Sequence, residues 1–261
     1  MSWSGFTVCF HALVIILMSA GGNYYSPAHP AYFDFLAGIV DASCRAGMEL
    51  AVFVPLYTLA PHAKYPCQLR EGLDALRYLV EEKDASHIIL GGDSAGGNLV
   101  LGILSHLSHP HPDLAQGPSI KGNLGGAILM SPWVTFDQSW HSITRNINRD
   151  CVSLVSSSLS AKYWLGKRHL DNYNEPLRAP ADWWADIKAR RVLFIAGDDD
   201  LMVDSHLAFA AKFRVRLLHL LNLLKLTCLE VESSQYSGGL CPWRRPYSSY
   251  SEPDTGGSLG V

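Results

Sequence analysis

Residues 92–96 read Gly-Asp-Ser-Ala-Gly, preceded by the apolar run Ile88-Ile89-Leu90 and followed by Leu99-Val100-Leu101. A serine between two glycines, where a strand turns sharply into a helix, has its hydroxyl pushed clear of the sheet. The glycines let strand and helix approach where a β-carbon would clash. Free N–H groups and the positive dipole end of the following helix suit a developing oxyanion. The chemistry implied is nucleophilic attack by Ser94. The competing use of such a stretch is a glycine-rich turn that binds a phosphate, or nothing. Two other groupings bear chemistry-capable side chains. His106, His109 and His111 form H-x-x-H-x-H, but no carboxylate completes a metal motif, and a polar helix end running into a Pro-broken loop accounts for the pattern. Asp198, Asp199 and Asp200 form an acidic run after an apolar segment, the composition of a solvated strand-end loop.

Around these residues apolar runs alternate with helical periods. Residues 13–17, 50–54, 87–90, 127–130 and 192–196 are expected as buried strands, each closed by glycine, proline or polar residues. After Pro66, residues 68–82 place Leu69, Leu73, Leu76, Leu79 and Val80 on one face of a helix. A second helix is expected to leave the serine over 95–107. Such alternation implies a parallel sheet with helices on both faces. The stretch from 133 to 190 contains Trp133, Trp140, Trp164, Trp183 and Trp184. It is too long for an ordinary crossover, which predicts a lid over the strand ends with an apolar pocket beneath. Residues 1–232 are expected as one domain including that lid, and 233–261 as a disordered tail rich in Ser, Gly, Pro and Tyr. Between them, 215–226 carries leucine on nearly every face.

At this point the motifs resemble one family. Gly92-Asp93-Ser94-Ala95-Gly96-Gly97-Asn98 is similar to the nucleophile elbow of the hormone-sensitive-lipase-like branch of the α/β-hydrolase superfamily. Tyr57-Thr58-Leu59-Ala60-Pro61, Ser131-Pro132-Trp133 and the stretch Gly197 to Asp204 resemble further motifs of that branch, in its order. Together they cover roughly residues 20–213. The resemblance implies the α/β-hydrolase fold, a mostly parallel sheet flanked by helices with a lid insertion. It also implies carboxylic-ester hydrolysis through an acyl-enzyme, on a small-molecule ester or apolar ligand, without a cofactor. Carried over by position, Ser94 is the nucleophile and Asp200 the triad acid, with Asp199 the runner-up in the acidic run. Ala20-Gly21-Gly22-Asn23-Tyr24 aligns with the family's oxyanion loop, so the backbone N–H groups of Gly21, Gly22 and Ala95 are the expected oxyanion donors. The motif histidine is replaced by Ala20, which predicts a looser loop. The third glycine is replaced by Asn23, the non-glycine residue that best tolerates positive φ.

The resemblance also predicts a histidine on the loop after the last strand, and this chain has none there. That strand is expected at 227–231, and the loop following it reads ESSQYSGGLCPWRR. Tyr236 stands about where the base belongs, and a phenol with a pKa near 10 is a poor substitute. His206 and His219 are expected as surface or packing residues. The chain reads as a family core abbreviated at both ends. It is then an esterase by descent, a catalytically dead binding protein (as in the family's plant hormone receptors, which lost the histidine), or a truncated non-functional product.

Composition narrows the classes. Of 261 residues, 48% are hydrophobic and 17% charged, enough apolar material for a large core. The net charge of −3 offers no global attraction to nucleic acid or anionic lipid, and no basic-aromatic stripe appears. The six scattered cysteines form no C-x-x-C pair and favour a reducing, cytoplasmic setting. Residues 6–20 are too short to span a bilayer and have no Lys or Arg before them, so a buried strand is preferred to a signal peptide.

Overall fold

The computed structural model describes residues 14–220, with side chains through Phe213. Five strands, β1 (Val14–Ser19), β2 (Leu50–Phe53), β3 (Ile88–Asp93), β4 (Gly126–Met130) and β5 (Val192–Ile195), form one sheet in the order β2-β1-β3-β4-β5. Every pairing is parallel. All five expected strands are present. The longest departures are at β1 and β3, which run on to Ser19 and Asp93, because register pairs Ser19 with Gly92. The sixth expected strand and the tail lie outside the described residues.

Among the described residues six α-helices connect or follow the strands: α1 (Pro30–Arg45), α2 (Cys67–Glu82), α3 (Ala95–Ser108), α4 (His141–Asn146), α5 (Leu154–Leu165) and α6 (Val203–Leu220). α2 buries Leu69, Leu73, Leu76 and Leu79, the stripe expected from its period. α3 is buried along almost its whole length, so it shows no amphipathic contrast to read. α1 was not expected. It starts at a Pro behind an N-capping His29, and it sets Tyr32, Leu36 and Ile39 at helical spacing against Ile16 and Met18 of β1. That period and the Pro at the first turn are the signals that would have found it. The other face of the sheet meets the larger core, where Ile15, Leu17, Ile88 and Leu90 pack against α2 and α3.

The stretch between β4 and β5 carries α4 and α5 and three of the expected tryptophans as core. Trp133, Trp164 and Trp184 are buried, and Trp164 stacks on Tyr24 at 3.9 Å between ring centroids. The void lined by Tyr24, Asn98, Trp164 and Tyr173 is about 10 Å³, room for one water at most. Here the tryptophans fill space; at this void they do not line an acyl pocket.

Candidate active site

Strand order sets the position of the site. From β1 the chain crosses to β2 on one side, then to β3 on the other. The carboxyl ends of β1 and β3 therefore flank the point where connections diverge, where open α/β sheets leave a crevice. With Ser19 opposite Gly92, the loop after β1 lies against the turn after β3.

Ser94 occupies that second turn with φ +50 and ψ −115, a region costly for a side chain bearing a β-carbon. Backbone bonds hold it there: its N–H donates to Met130 O (3.0 Å), and its carbonyl accepts from Trp133 N (2.9 Å) and Asn98 N (3.0 Å). The two glycines of the motif are needed for proximity. A β-carbon on Gly92 would lie 2.3 Å from the Gly96 backbone, and one on Gly96 would lie 1.9 Å from Ser19 O. Ser94 itself is half-buried, and Ala95 opens α3 with the orphan N–H of a helix start.

The loop after β1 is tied down by side chains. Tyr57 OH donates to Ala20 O at 2.7 Å, and Tyr32 OH to Ser19 O at 3.3 Å. Gly21 N–H donates to Asp93 Oδ1 at 2.8 Å. This last bond corrects the assignment of Gly21 as an oxyanion donor. A largely buried carboxylate beside the strand end is a stronger acceptor than an open crevice, so Gly21 anchors the loop. The loop's next N–H groups are those of Gly22 and Asn23. Three successive residues, Gly22, Asn23 and Tyr24, have positive φ (+110, +55 and +61). Asn23 thus adopts a conformation that asparagine tolerates better than other non-glycine residues. Tyr24 in that region was not anticipated; its ring is clamped by Trp164, and its OH donates to Asn98 Oδ1 at 2.8 Å. Asn98 in turn donates to Trp133 O (2.7 Å) and Asn174 O (2.9 Å). It joins the β1 loop, the β4 loop and the insertion through one amide, a role sequence reasoning missed because all three partners are remote in the chain.

Asp93 carries a measurable consequence. Burial raises its carboxyl above the ordinary range, opposed by the bonds from Gly21 and Tyr32. Asp93→Asn keeps an acceptor for Gly21 and is expected to leave the loop ordered, whereas Asp93→Ala removes it. Amide hydrogen exchange at Gly21 is expected to speed up about tenfold in the alanine variant, the equivalent of one lost hydrogen bond. Equal protection in wild type and Asp93→Ala would show that the bond does not hold the loop.

The acidic run resolves into three different environments. Asp199 is 65% exposed at its side chain and pairs with Arg149 at 2.8 Å. Asp200 is turned inward, 16% exposed, with Oδ1 accepting from Met202 N at 2.7 Å. Asn146 fastens the run by donating to the carbonyls of Asp198 (2.9 Å) and Asp200 (2.8 Å). At the start of α6, Asp204 accepts from Ser142 N and pairs with Arg145 (3.0 Å), which lowers its carboxyl pKa.

Facing Asp200 is His206, one turn into α6 and buried. Its Nδ1 is 3.8 Å from Asp200 Oδ2, too far for a hydrogen bond, and its Nε2 lies 3.0 Å from Pro132 O. With Nε2–H held by a backbone carbonyl, this imidazole does not present a lone pair to Ser94. Among the described residues, no histidine hydrogen-bonds Ser94. His106 and His111 are also internal: His111 N donates to His106 Nδ1 (3.0 Å), and His111 Nε2 meets Tyr65 OH (2.8 Å). His109 stacks on Trp183 at 3.9 Å.

Burial, first in each case, pushes His106, His111 and His206 below the ordinary histidine range. For His206, Asp200, the Pro132 carbonyl and Asp150 act in the opposite direction. The unfolded chain therefore takes up protons at these sites before the folded one does. Stability is complete above the unfolded value of about 6.5 and is lost as pH falls through it toward the folded values. Urea midpoints are expected to drop between about pH 7.5 and about pH 5.5, and His206→Gln to flatten the slope. A midpoint indifferent to pH in wild type would contradict the neutral, buried state of these rings.

A family model described as alpha/beta hydrolase fold matches residues 35–217. Steryl acetyl hydrolase 1 of Saccharomyces cerevisiae is 25% identical over 203 residues, 72% of this chain and 45% of that protein. A gibberellin receptor of Arabidopsis thaliana is 28% identical over 167 residues, 61% of this chain and 41% of the receptor. Among solved structures, an esterase from the bacterial hormone-sensitive lipase family superposes with a TM-score of 0.64 at 25% identity, covering 77% of this chain and 63% of that one. The chain spans about half the length of the curated relatives it matches.

Proposed function

Since the chain belongs to the α/β-hydrolase fold family, we propose that it is a carboxylic-ester hydrolase in which Ser94 is the nucleophile. The observation that carries this reading is the strained φ of +50 at Ser94, on a strand-to-helix turn that only glycines at 92 and 96 permit. Ser94 Oγ adds to the ester carbonyl, and the oxygen becomes an alkoxide. The N–H groups of Gly22, Asn23 and Ala95 stabilise that charge. The C–O bond to the alcohol then breaks, leaving an acyl-serine and the alcohol, and water releases the acid from the acyl-serine. Asp200 orients a histidine, which passes the proton of Ser94 to the leaving alcohol. Among the described residues none takes that place, and no histidine follows His219 in the sequence. The substrates are small-molecule esters with short acyl groups, a class supported by the acetyl-ester hydrolases among the relatives. Free thiols at Cys44 and Cys67 support a cytoplasmic setting.

The test is hydrolysis of p-nitrophenyl acetate and butyrate, with mass spectrometry of the protein for an acyl adduct. Wild type is expected to turn over the esters and to carry the adduct on Ser94, and Ser94→Ala to do neither. Equal rates and equal adducts in the two proteins would sink the reading.

A second reading is favoured by two features: His206 is engaged with Pro132, and among the described residues no histidine hydrogen-bonds Ser94. On this reading the scaffold binds an apolar ligand without turning it over, a reading supported by the gibberellin receptors among the relatives. It predicts saturable ligand-dependent stabilisation with no ester hydrolysis.

A further inference from the structure

α5 is inverted relative to an ordinary surface helix. It buries Ser157, Ser160 and Ala161 beside Trp164. It turns Val155, Leu159 and Tyr163 outward, at 71%, 49% and 46% exposure. Their spacing of four residues stacks them in one stripe. Val152, just before the helix, is also exposed, at 41%. Tyr25, from the loop that holds the oxyanion donors, is 45% exposed and stacks on Tyr163 at 5.8 Å. The apolar surface therefore runs up to the rim of the candidate site. A helix facing water on that side gains nothing from this pattern, because the usual arrangement puts serine outside and valine inside.

Charge indicates what covers it. Residues 151–170 contain Lys162, Lys167 and Arg168 and neither Asp nor Glu. Lys64 lies alongside Gly166, at the end of the same helix. Arg168 pairs with Asp113; among the described residues, Lys64, Lys162 and Lys167 form no ion pair. The chain as a whole carries −3, so any attraction to an anion must act locally, within a Debye length of these lysines. Two copies meeting face to face across this stripe would bring three lysines against three lysines, which disfavours a second copy as the occupant.

We propose that this face of α5 docks on an anionic phospholipid surface, with Val155, Leu159 and Tyr163 entering the headgroup–acyl boundary and Lys64, Lys162 and Lys167 meeting lipid phosphates. The helix lies in the interface plane; it does not cross the bilayer. No described helix is long and apolar enough to do so. Docking is independent of whether Ser94 turns over esters, and it sets the rim of the site against the lipid.

The test is co-sedimentation of the full chain with phosphatidylcholine vesicles, with and without phosphatidylserine, at low and high salt. Binding is expected only with phosphatidylserine and is expected to weaken with salt. Leu159→Glu is expected to reduce partitioning on the order of tenfold or more, from loss of one buried leucine. Lys162→Glu and Lys167→Glu are each expected to reduce it about fivefold or more. All three side chains face outward, so unchanged melting temperatures separate lost docking from lost folding. Absence of binding, binding indifferent to phosphatidylserine, or equal binding by Leu159→Glu overturns the proposal. A dimer in sedimentation velocity that Leu159→Glu dissolves also overturns it, assigning the face to a second copy.

Discussion

Ser94→Ala is expected to lower kcat/KM for p-nitrophenyl butyrate by a factor on the order of 10⁶, the loss seen when the nucleophile is removed from another serine hydrolase. The hydroxyl is presented by a strained backbone, and the neighbouring N–H groups can stabilise an oxyanion only once a nucleophile has made one. The size of the loss carries a second result. Nucleophile and base act as a unit, so their effects do not add. A fall of several orders of magnitude shows that a base from outside the described residues reaches Ser94. A fall of less than about tenfold shows that the base is missing and that the binding reading holds.

Gly96→Ala is expected to remove a large share of the stability of the domain, on the order of 4–5 kcal/mol out of the 5–15 typical of native proteins. The added β-carbon would be 1.9 Å from Ser19 O and 2.5 Å from Ser19 C. Both are backbone atoms of β1, held in the sheet by β2 and β3, so neither can rotate away. Either α3 lifts off the sheet or β1 shifts, and each movement opens the main core. Gly38→Ala is the matched control. It lies inside α1 with nothing within 4 Å of its added carbon, and it is expected to stabilise by about 0.5–1 kcal/mol through helix propensity. Urea denaturation of the two variants beside wild type decides the matter. Equal midpoints for wild type and Gly96→Ala would mean that the elbow does not depend on this close approach.

The two glycine variants also mark where sequence and structure part. Gly38 and Gly96 are both helical glycines; the serine motif announces a close approach at Gly96, but only the packing shows that the atom it meets is Ser19 O of β1 and that Gly38 faces open space. The same holds for polar groups. The amide of Asn98 was visible as part of a motif, but its partners Tyr24, Trp133 and Asn174 come from three other segments. The acidic run was legible as a strand-end feature, yet only the packing of α4 and α6 around it separates an exposed Asp199 from an inward Asp200.

What the sequence determined by itself was whatever depends on near neighbours. Apolar runs, helical periods and glycine spacing set the five strands, α2 and α3, the serine on its elbow, and the absence of a histidine after His219. The tertiary structure decided which groups face one another across the crevice. It paired Ser19 with Gly92, turned Gly21 N–H to Asp93, and set His206 against Pro132. The physical reason is that hydrogen bonds and close contacts between segments are selected by sheet register and helix packing. Those are set cooperatively by the whole core, and residues side by side in the chain do not record them.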